Sequence, residues 1–421
     1  MRKKVIFILY FSVLTRTIFS QNFPGWFTYD TTSSPLPSSL VTTVAVDNQN
    51  DLWVGTSAGL ARFSELLNWT IFNTSNSGIA DNWINKIKFD PQGKLWIATA
   101  AGGVSVLSNN MFQNYSVINS PLLTNQINDF EFEATGAVWI ATEGAGLYKF
   151  EGGVWTNYNA QLTGFAMNNI RALRMDGQQN LWIGTNEAGL LKFSNGIFTQ
   201  YSPLNSDLPF WSVRALSVDN QDDLWIGLSS SSNDSCLVKY AQNTFTIFSN
   251  PGIPELKFTN VWDIYIDNSG KKWISTNDDK YGLITYNDTT FSVFNFGSSG
   301  LASNRNYAVV ADADTNIWIA TLKGLNILNE KNIFLNEENF VLNSLAVKIF
   351  PNPVADYLQI SSDNAIAKGH LSIKSLDGRE FAKFQFAGEN HVFNVQHLPS
   401  GIYFVELHSN SGNYFSKLLK I

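Results

Sequence analysis

The strongest constraint on this chain is a tryptophan that returns at a nearly fixed interval. It sits in LWVGT, LWIAT, VWIAT, LWIGT, LWIGL, KWIST and IWIAT, as Trp53, Trp96, Trp139, Trp182, Trp225, Trp273 and Trp318. The spacings are 43, 43, 43, 43, 48 and 45 residues. Self-similarity with a period of roughly 40–50 residues marks supersecondary units that bury their apolar faces only against one another. Seven units of this length, each of four short strands, suit a closed toroid. The expected fold is therefore all-β, a seven-bladed β-propeller over residues 21–340.

Each unit resolves into four strand-like segments. The first has alternating apolar anchors, as in INKIKF (84–89), IRALRM (170–175) and VRALSV (213–218). A turn such as DPQG or DNSG follows and leads into the tryptophan strand. It opens six positions before the tryptophan with Asp47, Asp90, Glu133, Asp176, Asp219, Asp267 or Asp312. After a glycine-containing loop come GLARF, GVSVL, GLYKF or GLLKF. The fourth segments are WTIF, FQNY, WTNY, FTQY, FTIF and FSVF.

The repeated acids are expected to bond their own turn backbone, and the tryptophans to be buried between blades. Two positions after each tryptophan only Gly, Ala or Ser occurs (Gly55, Ala98, Ala141, Gly184, Gly227, Ser275, Ala320), as close approach of two sheets requires. A further fourth-strand match, WFTY (26–29), stands before the first unit. A ring must close or leave two unpaired edges, so WFTY is expected to complete the last blade. NIFL (332–335) is the alternative.

Composition removes several function classes. The four histidines, His370, His391, His397 and His408, all lie in the last 52 residues, which excludes a histidine-dependent triad or an imidazole-bound metal in the repeats. One cysteine, Cys236, allows no intramolecular disulfide. Residues 21–343 carry 17 basic and 29 acidic side chains, so no nucleic-acid partner is expected. Asp312-Ala-Asp314-Thr-Asn316 begins like a calcium loop, but Ile317 and Lys323 stand where that loop needs Gly and Glu. No metal or cofactor is expected.

The pattern W-I-G-T-x-x-G-L-x-x-F after a D-x-x-G turn resembles the two-component regulator propeller repeat, over about residues 26–328. In that family propellers often form the outer sensory part of membrane-spanning sensor kinases. This chain contains no kinase or regulator to relay a signal.

Both ends carry addresses. Residues 1–20 combine Arg2, Lys3 and Lys4 with an apolar run from Val5 to Leu14, and Ser20 suits cleavage before Gln21, as in a signal peptide. The run is shorter than the ~20 residues a membrane span needs, and no transmembrane segment is expected in the mature chain. After about residue 340 the pattern changes to strand-like segments at 347–360, 371–381, 393–407 and 413–421, a small immunoglobulin-like β-sandwich. Pro351-Asn352-Pro353, Asp356 with Leu358, LPSGIYFV, Lys417 and Lys420 resemble a type IX secretion C-terminal sorting domain over residues 345–421. The resemblance implies that this unit engages the type IX secretion machinery and that the chain reaches the medium or the cell surface via the periplasm.

A ligand site is sought where the units differ. Eleven positions before each tryptophan stand Thr42, Asn85, Asn128, Arg171, Arg214, Trp262 and Tyr307; thirteen before, the series includes Trp83 and Arg305. Trp211 lies one residue earlier in its own unit. Lengthened second-to-third strand loops, SSSSNDSC and NDDKYG, fall in units five and six. The candidate ligand-binding residues are thus Trp83, Arg171, Trp211, Arg214, Trp262, Arg305 and Tyr307, suited to an extracellular glycan or protein. No catalytic residue is expected. The alternative is a polysaccharide-active hydrolase or lyase using Asp129, Glu131 and Asp263.

Overall fold

A computed structural model describes residues 25–64, 69–230, 237–248, 260–329, 347–375, 380–399, 401–409 and 412–420. The export segment 1–20, the NIFL segment and most of the SSSSNDSC loop lie outside the described residues. The chain divides into two compact units, Met1–Asn332 and Ile333–Ile421.

The first unit is a ring of seven four-stranded antiparallel sheets. Six use consecutive strands; blade one, for example, runs through Val41–Val46, Leu52–Thr56, Gly59–Phe63 and Trp69–Phe72. The seventh takes Asn306–Ala311, Ile317–Thr321 and Gly324–Leu328, and its outermost strand is Trp26–Tyr29. Trp26 faces Leu328 and Tyr29 faces Leu325 in the closing ladder. The buried Asn326 amide donates to the Phe27 carbonyl at 3.1 Å and to Thr28 Oγ1 at 2.8 Å, fastening the two ends of the ring.

Aromatic packing explains why WFTY copies the repeat. The Tyr29 ring stacks on Trp318 with centroids 6.3 Å apart and meets Phe63 of blade one at 5.8 Å. Tyr158 makes the equivalent contacts to Trp139 at 5.8 Å and to Phe193 of the following blade at 5.6 Å. All seven repeat tryptophans are at least 95% buried. The small residue two positions on is also forced: a Cβ at Gly227 would lie 2.5 Å from a methyl of Val261 on the next blade.

Each buried indole N–H finds the acid six residues upstream. The distances are 2.9 Å (Trp53–Asp47), 3.0 Å (Trp96–Asp90), 2.7 Å (Trp139–Glu133), 2.9 Å (Trp182–Asp176), 2.8 Å (Trp225–Asp219), 2.9 Å (Trp273–Asp267) and 2.8 Å (Trp318–Asp312). The other oxygen organises the turn, as where Asp90 Oδ1 accepts from the backbone of Gln92 and Lys94 at 3.0 and 2.9 Å. One carboxylate thus forms the turn and satisfies the tryptophan. Burial acts to raise the Asp267 carboxyl, but hydrogen bonds from Ser269 and Trp273 outweigh it and hold it below its usual value. Glu133 is lowered in the same way, its burial overcome by Trp139, Lys149 and Thr135.

The second unit is one five-stranded antiparallel sheet curled on itself: Val347–Phe350, Tyr357–Ser375, Glu380–Asn394, Gly401–Ser409 and Gly412–Lys420. The curl encloses Leu358, Ile360, Leu371, Ile373, Phe386, Phe393, Val405 and Leu407. The 19-residue strand runs straight through the expected gap between 360 and 371. Its ladder shifts register near Gly369, where a Cβ would stand 2.6 Å from the Phe386 ring, so the missing side chain lets that ring fill the bend.

Two outcomes test this account. A carboxyl lowered by folding stabilises at pH values above its unfolded pKa, and that contribution disappears as pH falls through the folded value. The melting temperature should therefore drop below about pH 4, less steeply in Glu133→Gln and Asp267→Asn. Asp90→Ala, which orphans a buried indole N–H, should cost about 1–3 kcal/mol in denaturant titrations. Deleting residues 25–30 should expose the Gly324–Leu328 edge, lowering the melting temperature and producing concentration-dependent association in sedimentation. An unchanged monomer would assign closure to another segment.

Candidate ligand site at the channel mouth

The inner strand of every blade carries a β-bulge at the same place. The ladder to the second strand skips one residue between Val41 and Thr43, Ile84 and Lys86, Ile127 and Asp129, Ile170 and Ala172, Val213 and Ala215, Val261 and Asp263, and Asn306 and Ala308. The skipped residues are Thr42, Asn85, Asn128, Arg171, Arg214, Trp262 and Tyr307, the variable series of the sequence. A bulge leaves one residue unpaired and re-aims its side chain. Here all seven line the central channel, a cavity of about 890 Å³.

The seven form two unlike halves. In blades one to three the side chain is a clip to the next blade. Thr42 Oγ1 donates to the Ile84 carbonyl at 2.5 Å, Asn85 to Ile127 at 2.8 Å and Asn128 to Ile170 at 2.8 Å. These three are bonded into the scaffold, although their variability had pointed to freedom from packing. Blades four to seven instead carry large cationic and aromatic groups. Arg171 pairs with Glu143 at 2.8 Å. The Arg214 guanidinium lies 4.9 Å from the centre of the Trp262 ring, and Trp262 meets Tyr307 edge to face at 5.2 Å. Burial, and next the neighbouring Arg171 charge, push Arg214 below the ordinary arginine value against the pull of Glu143. Burial pushes the Tyr307 hydroxyl up.

Deeper in the channel, opposite blades are joined by charge. Lys86 of blade two reaches Asp263 of blade six at 3.3 Å. Burial works to lower Lys86, yet the Asp263 and Asp129 carboxylates prevail and hold it above the usual lysine value. Asp263 also accepts the Val309 backbone N–H at 3.1 Å. Lys88 binds Asp129 at 2.9 Å and Glu131 at 3.3 Å, and Asp129 accepts from the backbone of Phe130 and Leu173 at 2.8 and 2.9 Å. The three carboxylates considered for catalysis are thus held by lysines and by backbone donors.

The structure brings five of the seven candidates to one cavity: Trp83, Arg171, Arg214, Trp262 and Tyr307. Trp83 is 45% exposed across the mouth. Trp211, 38% exposed, stays on the rim, its carbonyl held by the Gly189 N–H at 3.0 Å. Arg305 is engaged bidentately by Asp279 of the NDDKYG loop at 2.7 and 2.9 Å, and that pairing holds it at the rim. Glu143, Lys86 and Asp263 complete the site and were not marked as binding residues. For Lys86 and Asp263 a signal was available, since they are charged residues on inner strands at a position where four of the seven units carry Ala or Thr; Glu143 follows the Trp139 strand in a loop.

A model of the secretion system C-terminal sorting domain matches residues 348–421, and one of the two component regulator propeller matches 35–58, 78–101 and 164–187. The chain carries two-component regulator propeller repeats and a secretion-system sorting domain. Each repeat match takes in the bulged strand, the acid turn and the tryptophan strand of one blade. Such a tail marks a chain for export to the medium or the cell surface.

Among solved structures, the propeller resembles the extracellular domain of BT4673, assigned as a one component system, from B. thetaiotaomicron. That match has 14% identity and a TM-score of 0.60, covering 91% of this chain and 56% of that one. It also resembles PorZ, a surface component of the type-IX secretion system of Porphyromonas gingivalis, at 14% identity and a TM-score of 0.55, covering 94% and 60%. A streptogramin B lyase structure aligns at 13% identity and a TM-score of 0.58, covering 72% and 97%. These likenesses concern the fold, and the chain spans little more than half the length of the first two. No curated protein matches the chain.

Lys86→Met should cost about 1–3 kcal/mol, since it takes from Asp263 its lysine partner across the channel. Adding Asp263→Asn should restore part of that loss in thermal melts. Additive effects of the two changes would show that the pair across the channel does not couple the blades.

Proposed function

We propose that this is an exported, non-catalytic receptor whose ring holds an extracellular glycan or protein at the channel mouth. The observation that carries the reading is the division of the bulged positions. Three are committed to holding blades together through the next blade's backbone, and four present large cationic or aromatic groups, of which Arg171 also pairs with Glu143 of blade three. Stacking on such rings adds roughly 1 kcal/mol each beyond area burial. A binding role also suits the floor of the channel. Glycoside cleavage needs one carboxyl to give up a proton and another to act as base or nucleophile, whereas Asp129, Glu131 and Asp263 are tied to Lys88 and Lys86. The sorting domain supports engagement of the type IX machinery and display outside the cell.

The test is a glycan array and a pull-down from culture medium with the full chain, repeated with Trp262→Ala and Tyr307→Ala. Hits lost in both variants would place the ligand at the mouth; hits unaffected by either would place it elsewhere. Turnover of a hit would make the protein a hydrolase or lyase. For export, deleting residues 347–421 should leave folded propeller in the periplasm. Normal yields of the truncated protein in the medium would refute the role of the tail.

A further inference from the structure

We propose that Arg171, Arg214 and Trp262 form a subsite for the carboxylate of an acidic sugar at the end of a glycan chain, an inference that rests on the mouth being the ligand site. Two guanidinium groups occupy the same bulged position on consecutive blades, and Glu143 is the carboxylate that serves them. It is bound by Arg171, whose terminal nitrogens lie 2.8 and 3.1 Å from its two oxygens. Among the described residues Arg214 has no ion pair; the Trp262 ring is its cation partner.

The Nε atoms of both arginines are buried without a hydrogen-bond partner. A buried donor of this kind carries a desolvation cost that an acceptor would relieve. A carboxylate is the acceptor that matches the planar fork of a guanidinium with two parallel bonds. It would also supply the negative charge that two neighbouring arginines and one glutamate lack.

The depth of the well decides which part of a ligand enters. Below the arginines, Lys86 and Asp263 join across the channel and Lys88 closes on Asp129. A chain end therefore fits, and a strand threaded through the ring does not. The surroundings favour a sugar over a peptide terminus. Thr42, Asn85 and Asn128, the side chains suited to a peptide backbone, already donate to carbonyls of the next blade. Trp83, Trp262 and Tyr307 offer ring surfaces to the C–H faces of a pyranose.

The experiment is calorimetric titration of the full chain with galacturonate and glucuronate oligosaccharides, their neutral counterparts, and an N-acetylated dipeptide with a free C-terminus. An acidic oligosaccharide should bind, weaken with rising salt and exceed its neutral counterpart. Arg214→Gln should weaken it by about tenfold to a hundredfold. Arg214→Lys, which keeps the charge and loses the fork, should recover only part. Arg305→Gln at the rim should change nothing, and melting temperatures within a few degrees would confirm that the variants fold. Equal binding of neutral and acidic sugars, lost in Trp262→Ala but not in Arg214→Gln, would overturn the subsite while leaving the mouth as the ligand site. Binding of the dipeptide alone, or of none of these probes, would overturn the proposal as well.

Discussion

The ring depends on a hydrogen bond made seven times, from a buried indole N–H to a carboxylate six residues earlier. A tryptophan supplies more apolar surface than any other residue to the gap between blades, but its N–H must be satisfied there. The acid does this with one oxygen while the other gathers the turn that aims the tryptophan strand. Turn, strand and interblade core are therefore set by a single side chain. Over Trp53, Trp139, Trp182 and Trp225 the charged groups of Arg62, Lys149, Lys192 and Lys239 reach over the indole from the third strand, and Lys149 also pairs with Glu133. Charge and apolar packing meet at the same point of these blades.

Closure follows from the same unit. The last blade lacks a fourth strand of its own among the described residues, and Trp26–Tyr29 brings the aromatic ring that its tryptophan and the first blade both need. Asn326 adds a buried amide that the Phe27 carbonyl and Thr28 hydroxyl of the first strand satisfy together with the Gly300 carbonyl. The ring thus has no free edge where its beginning meets its end, and the contacts that join them are those that join every other pair of strands.

The proposed function rests on the departure from this regularity. A bulge in each inner strand frees one side chain per blade from the ladder without disturbing the packing behind it. The scaffold uses three of the seven as clips and leaves an arc of arginine, tryptophan and tyrosine on the other side. The ion pairs below give that arc a floor. A rigid, repeated frame with one variable position per blade is a means of changing a ligand site while keeping the core.

The tryptophan period, the acid turn and the small residue after each tryptophan determined the seven blades from sequence alone, because each reports a local demand that recurs in every unit. The WFTY segment identified its own slot for the same reason: its aromatic spacing is that of a fourth strand. The candidate site was legible only in part. Position series picked out Arg171, Arg214, Trp262 and Tyr307, yet sequence could not show that Thr42, Asn85 and Asn128 at the same positions are structural, or that Arg305 is held by Asp279. Those facts depend on partners in other blades or in a loop whose shape has no repeat. The Lys86–Asp263 pair is the extreme case, joining residues 177 positions apart. Only closing the ring brings them within reach, since a ring places opposite walls together at a distance that no spacing along the chain encodes.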